Sequence, residues 1–205
     1  QDIYFLPEEY QLPPIKISVY EALNAPFYAR FDADKFKWLL SEFELNASDN
    51  LGKLSYGQKK KFLLAFGLAT NARLLLMDEP TNGLDIPSKS QFRRVIAASL
   101  SEEQVLVIST HQVRDLESLI DPVIVIDNGR IIFNRSLQEI TRCLQFGTVK
   151  EGSAALYSEE TMGGFAAILP NTTGKETRLD LELLFNGVVS HPREINQVFE
   201  EIVNA

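Results

Sequence analysis

The stretch LLLMDEP at residues 74–80 runs four apolar residues into two adjacent carboxylates, Asp78 and Glu79. A carboxylate at the tip of a strand can sit near a Mg²⁺ ion, and its neighbour can polarise a water for attack on a phosphate. A strand ending in an acidic turn accounts for the same residues equally well. His111 closes STH at 109–111, at the tip of the next apolar run. There an imidazole could contact a terminal phosphate and hold an attacking water, or serve as a loop or capping residue. LSYGQ at 54–58 offers the Ser55 hydroxyl, a Gly57 that allows close approach to the backbone, and a helix start near Gln58. Unpaired N–H groups at the positive end of a helix dipole suit a phosphate, or else form a capped helix holding nothing. In TNGLD at 81–85, Gly83 permits a tight turn and Asp85 can cap the helix that follows.

Strands and helices in alternation must position these groups. IYFL at 3–6 reads as the end of a short strand, followed by a loop stiffened by Pro7, Pro13 and Pro14. A capping box from Ser18 to Glu21 predicts a helix from Val19. A second helix follows Asp32, with Phe36, Leu39, Leu40 and Phe43 on one face, so that 15–50 is mostly helical. KKKFLLAFGLAT predicts a buried helix, 74–78 a buried parallel strand, Pro87 to Leu100 an amphipathic helix, Val105 to Ser109 a second buried strand, and Gln112 to Leu119 another helix. A hairpin over 123–133 turns on Asn128-Gly129, and a capping box from Ser136 to Glu139 opens a helix over 137–145. From about residue 147, short β-like pieces (AALYS, FAAILP) alternate with turns. Helices over 180–189, after Asp180, and 192–203, with Pro192 in the first turn, close the chain. This alternation argues for an α/β layer with a parallel sheet. Asp78, Glu79 and His111 would share its C-terminal edge, where ligands of open α/β sheets bind.

A chain of 205 residues suits one mid-sized domain with an extension, and 45% hydrophobic residues suffice for a packed core. A net charge of −8 argues against nucleic acid as a partner. The single cysteine, Cys143, excludes an internal disulfide and favours a reducing compartment. No apolar run approaches membrane-spanning length, and QDIYFLPEEY lacks a signal-peptide pattern. Work at a membrane would require another chain to hold the protein there.

Taken in order, LSYGQ, a helix, LLLMDEP, TNGLD and a strand ending in STH closely resemble the nucleotide-binding domain of ATP-binding cassette (ABC) transporters over roughly residues 3–145. The matching features are the signature loop (54–58), the Walker B strand (74–79), the D-loop (81–85) and the switch histidine, His111. The resemblance implies a partial P-loop NTPase (ABC ATPase) core with a parallel sheet, a helical subdomain and a small α+β C-terminal extension. Its segments would be a Q-loop region (1–14), the helical signature subdomain (15–57), the Walker B half of the core (58–146) and an accessory domain (147–205). It implies ATP and Mg²⁺ as ligands. Glu79 would be the general base, Asp78 would orient Mg²⁺ through water, and His111 would clasp the γ-phosphate and the lytic water. Ser55 and Gly57, with Gln58 at the helix start, would bind the ATP held by a second nucleotide-binding domain in a homodimer. Asp85 would couple the two sites.

Three departures qualify this picture. Tyr56 stands where the family often has Gly. Glu8 occupies the Q-loop position usually held by Gln, where it could reach the metal as an anion or be a solvated acid. The pattern G-x-x-x-x-G-K-[ST] fails at both Gly-Lys pairs, Gly52-Lys53 and Gly174-Lys175. The family places its P-loop upstream of the loop at 7–14, which implies that this sequence is the C-terminal part of a longer protein. The chain alone is then expected neither to bind ATP tightly nor to turn it over, and to leave apolar sheet edges uncovered. The function implied is the ATPase subunit of a transporter, peripheral on the inner face of the cell membrane, with permease subunits docked on 7–14 and 15–50. The alternatives are a non-transport ABC ATPase, or a non-catalytic module lending its signature loop to a partner's ATP.

Overall fold

The computed structural model describes residues 1–113, 116, 119–150 and 155–203, which form two compact units, Gln1–Asp115 and Leu116–Ala205. The predicted helix over Gln112 to Leu119 falls partly on 114, 115, 117 and 118, outside the described residues.

The first unit is built on a parallel sheet of β1 (Ile3–Leu6), β2 (Leu74–Asp78) and β3 (Val105–Ser109), in the order β1-β2-β3. Between β1 and β2 run α1 (Ile17–Asn24), α2 (Ala33–Glu42) and α3 (Tyr56–Ala69); α4 (Ile86–Ser99) joins β2 to β3. The Asp32 carboxylate caps α2 by accepting from the backbone N–H groups of Asp34 and Lys35, and Phe36, Leu39 and Leu40 on the predicted face are buried. The predicted capping box at Ser18 does not form: α1 starts at Ile17, and Lys16 precedes it without a side-chain cap. Its first N–H groups have backbone acceptors instead. Ile17 N donates to Asp49 O at 3.0 Å and Ser18 N to Ala47 O at 2.9 Å, so no side-chain cap is needed.

The core of this unit is aromatic. The ring of Phe66, in the last turn of α3, lies 5.3 to 6.4 Å from those of Tyr4, Tyr20, Tyr28, Phe31, Phe36 and Phe62. Edge-to-face and tilted geometries at such separations add to the stabilisation from burial. Tyr4 carries this cluster to the sheet: its hydroxyl donates to Leu63 O at 2.9 Å. The approach requires Gly67, where a Cβ would lie 2.3 Å from the Tyr4 ring.

Register makes the sheet one-sided. It aligns Ile3 with Leu74 and Val105, and Phe5 with Leu76 and Val107. Ile3, Phe5, Val105 and Val107 are exposed, whereas Tyr4, Leu6, Leu75 and Met77, on the other face, are buried. The expectation that β3 is a buried strand is therefore corrected. Its apolar run meets side-chain packing on one face only, and β1 and β3 are both edge strands.

In the second unit, β4 (Val123–Asp127) and β5 (Arg130–Arg135) form the predicted hairpin. Asn128 and Gly129 adopt φ of 45° and 73°, the paired left-handed conformation that Asn-Gly turns supply. The Ser136/Glu139 capping box opens α5 (Leu137–Cys143). This helix ends before the predicted residue 145 because Leu144 begins β6 (Leu144–Val149), which pairs with β8 (Gly164–Pro170) in the order β6-β8-β7, β7 being Tyr157–Thr161. Two helices close the chain, α6 (Leu181–Ser190) behind an Asp180 cap and α7 (Pro192–Val203).

Replacing Phe66 by Ala is expected to destabilise the first unit by about 3–5 kcal/mol, read as a lower denaturant midpoint at unchanged slope.

Candidate functional site

Beyond the tip of β2, the chain leaves the strand at once. Asp78 is its last residue, and its Oδ1 accepts from Ser109 Oγ at 2.5 Å across the sheet. Glu79 has φ of 45°, an uncommon left-handed conformation for a residue with a side chain. The strand no longer alternates there, so the contrast between the two acids is one of partners rather than of opposite strand faces. Glu79 N donates to Ser109 O at 3.0 Å. Its carboxylate accepts from Thr110 Oγ1 at 3.1 Å and from His111 N at 2.8 Å, and Oε1 lies 2.7 Å from His111 Nδ1. The carboxylate end of this pair is sheltered and the imidazole open, with side-chain exposures of 12% and 67%.

The start of α3 stands nearby. Ser55 Oγ accepts from Gln58 N at 3.3 Å while Gln58 Oε1 accepts from Ser55 N at 3.0 Å, a reciprocal capping box. The first helical bond runs from Lys59 N to Ser55 O, so the N–H groups of Tyr56 and Gly57 have no intrahelical acceptor. A Cβ built at Gly57 would meet nothing closer than 3.8 Å, so an incoming group could approach there.

Tyr56 joins three segments. Its ring stacks on Tyr10 with centroids 5.6 Å apart and planes at 16°, and its hydroxyl donates to Glu8 O at 3.2 Å. The Tyr10 hydroxyl donates back to Tyr56 O at 3.1 Å. Burial, then the charges of Glu8 and Glu9, push the Tyr56 phenol above its ordinary pKa. The Glu8 carboxylate accepts from Asn82 Nδ2 at 2.8 Å, and Tyr56 covers Gly83. Gly83 has φ of 76°, and a Cβ there would stand 2.6 Å from the Tyr56 ring, so glycine is required twice over. Asp85 N-caps α4 by accepting from Ser88 N at 2.9 Å, and Ser88 holds its carboxyl below the usual range.

The structure thus brings Asp78, Glu79 and His111 to one edge, and joins Glu8 and Tyr56 to the 79–83 turn. Sequence reasoning missed Ser109, Thr110, Tyr10, Asn82 and Lys60. The aromatic at 56, at an exposed helix start beside Glu8 and Tyr10, was the available signal for the loop contacts. Among the described residues no group of three or more His, Cys, Asp or Glu side chains is placed to hold a metal. Mg²⁺ is commonly held by one or two carboxylates, with water and substrate phosphates for the rest. Asp78, at the strand tip, fits as such a carboxylate.

Parallel strands crossed by helices, with acids at the C-terminal edge, define an α/β domain. Residues 1–82 match the ABC transporter family model. Over that stretch the chain is similar to the ATP-binding domain of ABC transporters. It is 33% identical over 90 residues to the ABC transporter ATP-binding protein NatA of Bacillus subtilis, covering 44% of this chain and 37% of NatA. It is 34% identical over 92 residues to the cobalt import ATP-binding protein CbiO of Salmonella paratyphi A, covering 45% and 34%. It is 32% identical over 117 residues to the ribose import ATP-binding protein RbsA 2 of Rubrobacter xylanophilus, covering 56% and 22%. The matched residues thus span only 22% to 37% of these relatives' lengths. The fold is similar to that of an ATP-binding subunit of an ABC transporter, with a TM-score of 0.61 at 23% identity over 69% of this chain and 61% of that one. A putative cobalt transport ATP-binding protein gives 0.56 at 20% identity over 96% and 71%.

Gly83→Ala is expected to cost about 1–3 kcal/mol through crowding against Tyr56 and left-handed strain. In a double-mutant cycle, Tyr56→Ala should relieve the crowding but not the backbone strain. Urea titrations of the four proteins would read a coupling of about 0.5 kcal/mol or more.

Proposed function

We propose that the chain belongs to the ATP-binding subunit of an ABC transporter, which couples ATP binding and hydrolysis at a dimer interface to transport across a membrane. The observation that carries this is the contact of the Glu79 carboxylate with the Thr110 hydroxyl and with the backbone N–H and imidazole of His111, at the edge where Asp78 also ends. Glu79 is the general base: an acceptor at that place takes a proton from water as it attacks the outermost phosphate. His111 orients that water and contacts the phosphate. Asp78 holds Mg²⁺ through water; when bound, the ion neutralises charge on the phosphate oxygens. Glu8 reaches the turn through Asn82, and Asp85 couples the site to the second one. Ser55, Gly57 and Gln58 serve the ATP of a second nucleotide-binding domain, in a homodimer. The bare N–H groups and open approach at Gly57 support that role, and Ser55 would have to share its hydroxyl with the cap it now forms.

Residues 1–14, 15–57, 58–146 and 147–205 serve as the Q-loop, helical, Walker B and accessory segments. Permease subunits dock on 7–14 and 15–50 at the inner face of the cell membrane. Among the described residues no helix is long and apolar enough to cross a membrane. The pairing of Glu79 with His111 favours catalysis over service as a non-catalytic module.

Glu79→Gln in the natural protein that carries this sequence is expected to lower phosphate release by roughly 10²–10⁴-fold while ATP still binds. Turnover at the wild-type rate would remove Glu79 from the mechanism.

A further inference from the structure

Lys60 is the middle of three consecutive lysines, yet it is the buried one, with 0% exposure; Lys59 and Lys61 are partly exposed. Removing an ammonium from water is costly unless charges and hydrogen bonds replace its hydration. Here Nζ donates to Glu79 O at 2.6 Å and to Asn82 O at 3.2 Å, and stands 5.5 Å from the centre of the Tyr56 ring. Burial lowers the pKa of this ammonium, and the charges of Glu8, Glu79 and Asp78 oppose that. A Met side chain would fill much the same channel at no desolvation cost. What only the cation adds is a grip on two carbonyls of the turn that follows β2.

Those carbonyls belong to a strained segment. The left-handed conformation of Glu79 persists only where its surroundings over-determine it. Glu79 N is tied to Ser109 O, and Glu79 O also accepts from Asn82 N at 3.2 Å. The two bonds that Lys60 donates tie this turn to α3, the helix whose first residues are Tyr56 and Gly57. We infer that Lys60 is a positioning residue for Glu79: its ammonium holds the Glu79 and Asn82 carbonyls, and so fixes the turn that aims the Glu79 carboxylate at His111 and Thr110. Its catalytic consequence rests on the proposed role of Glu79 as general base; its structural consequence does not.

Two measurements test it. Amide hydrogen exchange of this chain is read for wild type, Lys60→Met and Lys60→Arg. Lys60→Met should speed exchange of the Glu79 and Asn82 amides roughly tenfold or more, as expected when a hydrogen bond to a charged group is lost, with the amides of α3 unchanged. Lys60→Arg, which keeps a cationic donor, should recover much of the protection. Unchanged exchange at 79–82 in Lys60→Met overturns the inference whatever the reaction. In the natural protein that carries this sequence, Lys60→Met should lower kcat for ATP about 10²-fold with KM little changed, as misplacement of a reacting group does. Lys60→Arg should restore most of it. Normal kcat in Lys60→Met beside an inactive Glu79→Gln overturns the role of Lys60 and leaves the general base standing. Normal kcat in Glu79→Gln removes the base itself, and the exchange data then decide the positioning alone. Should Lys60→Met fail to fold, Lys60→Gln takes its place in both measurements.

Discussion

The parallel pairing of β2 with β3 decides where each candidate group at the sheet edge falls. Asp78 stands opposite Ser109, and one step further Glu79 N donates to Ser109 O, so Thr110 and His111 emerge against the Glu79 carboxylate. A slip of one residue would turn every side chain of a strand to the other face. In β2 both sets of positions, Leu74 and Leu76 or Leu75 and Met77, are apolar, so what such a slip would lose is the contact of the acids with Ser109, Thr110 and His111. The left-handed turn at Glu79 depends on the register, since Ser109 O is the acceptor that receives the first N–H after the strand.

What was legible in the sequence follows from the range of the interactions concerned. Asp32, Asp85, Ser136 and Asp180 each cap the helix they precede, because a cap is settled within three or four residues. Apolar runs marked the strands, and motif order marked the edge at which they end. Ser18 shows the limit: its local pattern suited a capping box, but the loop at 47–49 supplied backbone acceptors to the start of α1 and made one unnecessary. Lys60 shows a deeper limit. Three lysines in a row look like a solvated face, and only the fold reveals that the middle one points at the backbone of a turn some twenty residues away in sequence. Position 60 is in helical phase with the buried Leu64, which was the sole local hint.

The one-sided sheet was not legible for a related reason. A short apolar run has the same composition whether covered on both faces or on one, and periodicity cannot separate the cases when both sets of positions are apolar. In β1 and β3 the uncovered positions are Ile3, Phe5, Val105 and Val107, β-branched or aromatic residues of the kind that buried parallel strands use. Their types are those of a doubly covered sheet, while the packing within this unit covers one face.

Tyr56 adds a constraint of a different kind. Gly at this position would leave the start of α3 separate from its neighbours. The phenol instead reaches the backbone of Glu8, its ring stacks on Tyr10 and rests on Gly83, and its face stands near the Lys60 ammonium. The segments 8–10, 56–60 and 79–83 therefore share one set of contacts, and displacing any of them strains bonds to the other two. Each contact alone is modest, since the ring is partly solvated and a cation 5.5 Å from its centre gains only about 0.5–2 kcal/mol. Their effect lies in number and direction. They tie the open helix start at Gly57 to the turn that carries the Glu79 carboxylate, so a ligand seated at the first place would press on the second through packed groups rather than through solvent.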